Sequence, residues 1–313
     1  MKNAVGLCAL LLVSFVLSVQ AQPSRAASAA SYLERGKSFF ERGDLERALA
    51  DFDLAIASDP GLAAAYFNRG QVRAARRDLT GARADYDQAI RLNARLTAAW
   101  VNRGVVRQYS GDPEGAISDY TRAIQLSPRL AEAWNNRGVA RMMTGDLTGA
   151  LADFDEAVRL SPRSADYYNA RGRARMQQGD NQGAIRDQTR AIQLQPNLAA
   201  AWRDRGEAQQ KNGEPQKAIA DFSQAIELQP GNGELWYNRA FSKHSAGDDD
   251  NALTDASEAI RLDSQLAPAY PLRGLILRQR GMEAAAQEDF ARAASLKEAR
   301  REGWQGRELS RRP

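Results

Sequence analysis

A repeat of 34 residues constrains the fold of this chain more than any other feature of its sequence. Written in rows of 34 from Ala29, the chain gives eight rows without an insertion, and the last row ends at Arg300. The rows span residues 29–62, 63–96, 97–130, 131–164, 165–198, 199–232, 233–266 and 267–300. Self-similarity at a period of roughly 20–50 residues is typical of arrays in which each unit buries its apolar face against its neighbours.

Each row reads as two helices joined by a tight turn. In the fourth row, Gly145 can adopt the left-handed conformation that ends a helix, and Asp146 can then cap the next helix. After it, apolar residues recur at steps of three and four, which is the period of a helix with one buried face. Alanine fills the twentieth and twenty-seventh places of all eight rows, so the two helices can approach closely. The pattern predicts an all-α chain of helical hairpins.

The same places carry a resemblance to the tetratricopeptide repeat family over residues 29–300. Its signature is an aromatic residue at place four, Gly at eight, Ala at twenty, an aromatic at twenty-four, Ala at twenty-seven and Pro at thirty-two, as in Trp134, Gly138, Ala150, Phe154, Ala157 and Pro162. The resemblance implies a right-handed superhelical solenoid of eight helix-turn-helix repeats. It also implies a concave groove, lined by the first helix of each repeat, that binds protein. One departure is arginine at place seven, where the family usually has leucine.

Arginine at place seven and aspartate at place twenty-three recur in all eight rows. A catalytic pair would not be repeated in every row, so the pattern predicts structural salt bridges within a hairpin or between neighbouring rows, because a guanidinium matches a carboxylate. The pairs of the second to fifth rows are Arg69 with Asp85, Arg103 with Asp119, Arg137 with Asp153 and Arg171 with Asp187.

Candidate groove residues lie on the predicted first helices. The asparagines at place six (Asn68, Asn102 and Asn136) resemble the asparagine ladder of O-linked N-acetylglucosamine transferases, which implies that they hold the backbone of an extended peptide. The alternative is that the Asn-Arg-Gly sequence is a common feature of this repeat type and has no role in binding. An apolar middle section is the second candidate, although its methionines could equally pack between repeats. Its residues are Val105, Tyr109, Val139, Met142, Met143 and Met176, with Arg173 beside them.

Nothing in the sequence favours an enzyme. There is no nucleophile elbow, no phosphate-binding glycine loop and no His/Cys cluster with metal-ligand spacing, so we expect no catalytic residues, cofactor or metal. The one histidine, His244, is interpreted as a surface residue. A net charge of +4 without a dense basic face argues against nucleic acid as a partner.

Both ends of the chain differ from the repeats. Residues 1–21 have Lys2, an apolar run from Ala4 to Val19 and a small residue at Ala21, which is typical of a cleaved signal peptide. A retained membrane anchor is the alternative, but the run is short for one. We expect export to a bacterial periplasm or secretion without stable membrane insertion, then a linker over residues 22–28. Residues 301–313 are expected to form a basic cap or tail, with the last helix passing Arg300 and ending near Trp304.

These observations predict a non-enzymatic scaffold or adaptor that binds a protein or an extended peptide in the groove. Two alternatives stay open. The chain could be a structural subunit of a larger envelope assembly that uses its other surfaces, or an accessory factor of an enzyme that modifies peptides or glycans.

Overall fold

The computed structural model describes residues 25–309, and every regular element in that range is an α-helix. The chain forms two compact units, Met1–Ala94 and Arg95–Pro313. The helices of the first unit are α1 (Arg25–Glu41), α2 (Leu45–Ser58), α3 (Ala63–Ala75) and α4 (Leu79–Leu92). Those of the second unit are α5 (Thr97–Tyr109), α6 (Pro113–Leu126), α7 (Ala131–Thr144), α8 (Leu147–Leu160), α9 (Ala165–Gln178), α10 (Asn181–Leu194), α11 (Ala199–Lys211), α12 (Pro215–Leu228), α13 (Gly233–Ser245), α14 (Asp249–Leu262), α15 (Ala269–Gln279) and α16 (Glu283–Leu309). The predicted all-α class is confirmed.

Within each unit the helices pack in chain order. Every odd-numbered helix forms a hairpin with the helix that follows it, and each hairpin packs against the next one of its unit, as in a helical repeat solenoid. The alanines at places twenty and twenty-seven, such as Ala150 and Ala157, are buried, except Ala293 in the last repeat, which is half-buried. Among the described residues, no helix combines the length and the apolar content needed to cross a membrane.

Glycine lets the two helices of most hairpins approach over an aromatic ring. Gly138 on α7 faces Phe154 on α8, and a Cβ atom added to Gly138 would lie only 2.8 Å from Cε1 of that ring. Since real Cβ contacts are not that short, an alanine at this place would force the ring to move. The same glycine-over-ring arrangement closes six of the eight hairpins: Gly36 over Phe52, Gly70 over Tyr86, Gly104 over Tyr120, Gly138 over Phe154, Gly206 over Phe222 and Gly274 over Phe290.

The turn inside a hairpin uses the predicted glycine and aspartate. Gly145 has φ of 85°, in the left-handed region, and the side chain of Asp146 accepts a hydrogen bond of 2.9 Å from the Gly149 amide. The predicted cap at Asp146 is therefore confirmed. In the second repeat, Arg77 occupies the glycine position with φ of 63°, the one non-glycine residue with positive φ among those described.

The repeated arginine and aspartate meet in all eight hairpins. In each pair the guanidinium donates through both Nε and Nη2 to the two carboxylate oxygens, and the shortest N–O distances lie between 2.5 and 2.8 Å. The aspartate side chains are at most 6% exposed. In four hairpins a second arginine, at place eleven, reaches the same carboxylate, as Arg141 does to Asp153 at 2.9 Å.

The third guanidinium nitrogen of the arginine at place seven, Nη1, can form a hydrogen bond to the preceding repeat. Arg137 Nη1 donates to Thr121 Oγ1 at 3.0 Å, while its guanidinium carbon lies 4.9 Å from the centre of the Trp134 ring. A leucine in place of Arg137 could supply neither contact, which accounts for the departure from the family pattern. The same backward bond joins Arg69 to Asp53, Arg171 to Asp155, Arg205 to Thr189 and Arg239 to Ser223.

The structure differs from the sequence-based boundaries at two points. Helix α1 begins at Arg25, so residues 25–28 of the expected linker are helical, because Ala26, Ala27 and Ser28 contain no helix breaker. At the other end α16 passes Arg300, as predicted, but runs to Leu309 rather than to Trp304, since Glu, Gln, Arg and Leu all favour a helix. The predicted signal peptide and the last four residues lie outside the described residues.

Candidate functional site

The first helices of the repeats in the second unit lie side by side. Cα atoms of α5 and α7, of α7 and α9, of α9 and α11, and of α11 and α13 approach within 8 Å. We call the exposed side of α5, α7, α9, α11 and α13 the first-helix face. Large apolar side chains stand out on this face: Tyr109 is 80% exposed, Met143 is 53% exposed and Phe241 is 42% exposed. These exposed apolar side chains make the first-helix face a candidate binding surface.

One recess in this face, the Phe154 recess, lies between α7 and α9. It has a volume of about 240 Å³ and Phe154 forms part of its lining. Four predicted groove residues also line it, namely Val139, Met142 and Met143 of α7 and Arg173 of α9. Ala170 and Gln177 of α9 complete the lining. Val139 and Met142 also pack against the buried cluster that contains Phe154. The groove interpretation and the packing interpretation therefore both apply to these two side chains.

A second recess, the Phe222 recess, lies between α11 and α13 and has a volume of about 300 Å³. Its aromatic lining consists of Phe222, Tyr237 and Phe241, with Glu207 and Lys211 at its polar side. Sequence analysis missed this recess. The sequence does contain a signal for it. Phe241 occupies place nine of a predicted first helix, and the residue type at this place varies from row to row, as we expect of residues that contact a partner.

A charged cluster lies between the two recesses, on α9 and α11. Arg203 Nη2 contacts Asp204 Oδ1 at 2.7 Å, and Arg173 Nε lies 3.9 Å from Asp204 Oδ2. Arg203 Nε is 3.7 Å from Glu207 Oε1. Burial raises the pKa of Asp204 above its ordinary value, and this effect outweighs the lowering by Arg203 and Arg173. Burial raises the pKa of Glu207 as well, and the charge of Asp204 adds to that increase.

The three asparagines proposed as a ladder have different surroundings. Asn68, in the first unit, donates from Nδ2 to the Ala64 carbonyl of its own helix at 2.8 Å, so one of its two N–H groups is already bonded. Asn102 lines a recess of about 340 Å³ near the start of α5. Asn136 is half-buried and accepts a hydrogen bond of 3.3 Å from Asn135. The ladder stays a prediction for Asn102 and Asn136.

The remaining predicted groove residues divide between core and surface. Val105 is partly buried and packs against the cluster that contains Val101 and Tyr120, so it stabilises the α5–α6 hairpin. Tyr109 projects from the last turn of α5. Met176 is half-buried on α9, at the place in its repeat that Met142 holds in the repeat before.

His244 has a partner within its own hairpin. Its Nδ1 lies 2.6 Å from Asp249 Oδ1, and the side chain is 27% exposed, so it is half-buried rather than free on the surface. The bond joins the last turn of α13 to the first turn of α14. Over residues 25–309, no group of three or more His, Cys, Asp and Glu side chains is arranged to hold a metal ion.

Comparison with protein families gives one consistent match. A model described as tetratricopeptide repeat matches residues 24–96 and 101–165, and a second model with the same description matches residues 170–236. Together the matched ranges cover more than half of the chain. No curated protein matches it.

Solved structures share the fold at low identity. A tetratricopeptide repeat protein from Parabacteroides merdae is 20% identical with a TM-score of 0.62, and the match covers 80% of this chain and 99% of that one. The pilF protein of Pseudomonas aeruginosa is 19% identical with a TM-score of 0.60, over 67% of this chain and 96% of that one. YrrB, described as a TPR protein with an unusual peptide-binding site, is 21% identical with a TM-score of 0.50, over 59% of this chain and 95% of that one. These likenesses show the fold alone.

Proposed function

Since the chain belongs to the tetratricopeptide repeat family, whose members are generally non-enzymatic scaffolds for protein–protein interaction, we propose that the unit Arg95–Pro313 binds an extended peptide segment of a partner protein along its first-helix face. The segment would lie across α5, α7, α9, α11 and α13 and insert side chains between neighbouring helices.

The observation that carries the proposal is the pairing of each recess with an exposed apolar side chain. Met143 forms part of the lining of the Phe154 recess, and Phe241 forms part of the lining of the Phe222 recess. With volumes of about 240 and 300 Å³, the recesses lie at or below the lower end of small-molecule sites, which hold roughly 300–1,000 Å³. Each recess therefore suits one apolar side chain of a longer ligand. YrrB, which has the same fold, is described as having a peptide-binding site, and this supports a peptide as the class of ligand.

Affinity capture from an extract of the native host tests the proposal. The bait is the full chain, either unchanged or with Met143→Asp and Phe241→Asp together. The matched control is Leu228→Asp, because Leu228 is 41% exposed on α12, a second helix. We expect the double variant to lose a partner that the control retains. The reverse result would contradict the proposal and favour a structural subunit that uses its other surfaces.

The asparagine ladder is tested in the same assay with Asn102→Ala and Asn136→Ala together. If the two side chains hold the backbone of the peptide, capture falls. Unchanged capture would leave the recesses as the binding elements and remove the ladder from the proposal.

We also propose that the chain works after export, on the basis of the apolar run from Ala4 to Val19 and the small residue at Ala21. N-terminal sequencing of the protein from its native host should give Gln22 as the first residue. An intact Met1 would contradict export with cleavage.

A further inference from the structure

The two recesses occupy equivalent places in two different pairs of repeats. Each is lined by places nine, twelve, thirteen and twenty-four of one repeat and by places six and nine of the next. Place twenty-four supplies Phe154 in one recess and Phe222 in the other. One repeat lies between them, and its residue at place twenty-four is Gln188, which is 1% exposed. Along the first-helix face, the residue at place twenty-four is therefore aromatic, then polar, then aromatic in three consecutive repeats.

The middle position holds two buried acceptor atoms without a donor. Gln188 Nε2 donates to the Asn169 carbonyl at 3.2 Å, but within the described part of the chain its Oε1 has no hydrogen-bond partner. Oδ2 of Asp204, a side chain that is 2% exposed, likewise has no hydrogen-bond partner there, and its ion-pair partner Arg173 Nε lies 3.9 Å away, beyond hydrogen-bond distance. Buried acceptors without donors cost free energy, and ligand donors that reached them would lower that cost.

The charges around the middle position are balanced. The guanidinium groups of Arg173 and Arg203 lie against the carboxylates of Asp204 and Glu207. A cationic ligand group would therefore meet two arginines, and an anionic group would meet two carboxylates. A neutral group that both donates and accepts avoids these repulsions. A carboxamide donates through its NH₂ group to Asp204 Oδ2 or Gln188 Oε1, and its oxygen accepts from Arg173, whose side chain is 56% exposed.

The spacing of the helices indicates the spacing of the ligand side chains. Neighbouring packed helices lie about 8–10 Å apart. In a polyproline II strand every third residue faces the same side, and three residues at about 3.1 Å each span about 9 Å. Side chains three residues apart in such a strand can therefore reach consecutive positions on the first-helix face.

We infer that the peptide carries a glutamine or asparagine side chain at the middle position, and this inference rests on the proposed function. One apolar side chain lies three residues before the carboxamide residue in the peptide, and another lies three residues after it. The two apolar side chains occupy the Phe154 and Phe222 recesses. The carboxamide bonds to Asp204 and Gln188 between them.

Four fluorescein-labelled synthetic peptides test this assignment by titration against the purified full chain. Each contains the core Phe-Ser-Ser-X-Ser-Ser-Phe, where X is Gln, Leu, Lys or Glu. Because an unpaired buried acceptor costs about 1–3 kcal/mol, we expect the Gln peptide to bind about 5- to 150-fold more tightly than the Leu peptide. Equal binding of the Gln and Leu peptides would overturn the inference and leave the proposed function standing. Tightest binding of the Lys or Glu peptide would overturn the carboxamide assignment.

A variant of the chain gives a second readout. Gln188→Phe restores the aromatic lining, and Gly172 provides the same space for a ring that Gly138 provides for Phe154. The variant should lose the preference for Gln over Leu, so that the two affinities differ by less than about 3-fold. Gln193→Phe is the matched control, since Gln193 is exposed on the same helix, and it should keep the preference. Gln188→Leu gives the same readout if the ring disturbs the fold.

Complete failure of binding has a different meaning. If no peptide binds at up to about 1 mM, a dissociation constant that corresponds to only about 4 kcal/mol, and capture of the native partner is also insensitive to Met143→Asp with Phe241→Asp, then the proposed function is contradicted and the inference falls with it. If no peptide binds but capture does depend on those residues, the inferred sequence pattern alone is wrong.

Discussion

Ala240 and Ala256 lie in one buried cluster of the seventh repeat, at the two places where glycine and an aromatic ring meet in six other repeats. Both alanines are fully buried. The fifth repeat also lacks the ring but keeps a glycine, because a Cβ atom added to Gly172 would lie 2.7 Å from Gln188 Nε2. In the seventh repeat place twenty-four holds only the methyl group of Ala256, so the methyl group of Ala240 fits. The choice at place eight thus depends on the volume of the side chain at place twenty-four.

Gly138→Ala tests this dependence. The new Cβ would lie 2.8 Å from Phe154 Cε1, so we expect a loss of about 1–3 kcal/mol in the free energy of unfolding from overpacking. In a Phe154→Ala background the same change should be neutral or stabilising, because the ring is gone and alanine favours a helix by about 1 kcal/mol over glycine. Urea unfolding of the two single variants and the double variant measures the coupling. Equal effects in both backgrounds would show that the ring does not select the glycine.

Arg137→Leu introduces the residue that the family usually has at this place. It leaves Asp153, whose side chain is 1% exposed, without its bidentate partner. Removing one member of a buried ion pair costs about 3–5 kcal/mol, so we expect a loss of that order even though Arg141 still contacts Asp153.

Replacing both members is the control for this change. Arg137→Leu with Asp153→Leu leaves no buried charge from the pair, and we expect most of the lost stability to return. Thermal and urea unfolding compare the variants. A double variant that is as unstable as the Arg137→Leu single variant would show that the pair itself, rather than the uncompensated charge, supplies the stability, and a loss equal to the sum of the two single losses would show that the two residues act independently.

Gly145→Ala should cost about 1–2 kcal/mol, because φ of 85° brings a Cβ atom too close to the backbone. The matched control is Arg77→Ala at the equivalent turn, where φ is 63° and a Cβ atom is already present. We expect that control to change the stability by less than about 0.5 kcal/mol. Comparable losses of stability in the two variants would indicate that the turn conformation does not determine the preference for glycine at this place.

Asp204→Asn should change stability in a pH-dependent way. The pKa of Asp204 is higher in the folded chain than its ordinary value of 3.8, so the folded state binds this proton more tightly than the unfolded state does. The ionised carboxylate therefore destabilises the fold above the folded-state pKa, and this contribution disappears as the pH falls below about 3.8. The variant should be more stable than the unchanged chain at pH 7, and the advantage should shrink towards pH 4. Urea unfolding across that range checks the prediction, and an advantage independent of pH would contradict it.

The features that sequence analysis predicted are those that recur in every repeat. The helical hairpins follow from the period, and the partner of Arg137 follows from an aspartate that is present in all eight rows. The bond from Arg137 to Thr121 could not be found in the same way, because the equivalent place holds Asp53, Asp155, Thr189 or Ser223 in other rows. An acceptor oxygen recurs there, while the residue type does not.

The candidate site was only partly predictable for a related reason. A recess needs side chains from two consecutive repeats, so its shape depends on residues that each occur once. Met142 and Met143 stand out in the sequence because methionines are rare in this chain, and the Phe154 recess was found through them. Tyr237 and Phe241 are single aromatic residues among many, and only the packing of α11 against α13 shows that they share a recess.

Backward bonds give the stack a direction, and they are made by Arg69, Arg137, Arg171, Arg205 and Arg239. Arg171 reaches Asp155 of the repeat before it, and Arg205 reaches Thr189 in the same sense. A repeat removed from the carboxyl end takes its own guanidinium with it, whereas a repeat removed from the amino end deprives the next arginine of an acceptor. Synthesis on the ribosome proceeds from the amino end, so each arginine that emerges finds its acceptor already made, and the array is suited to growing in the order in which it is translated.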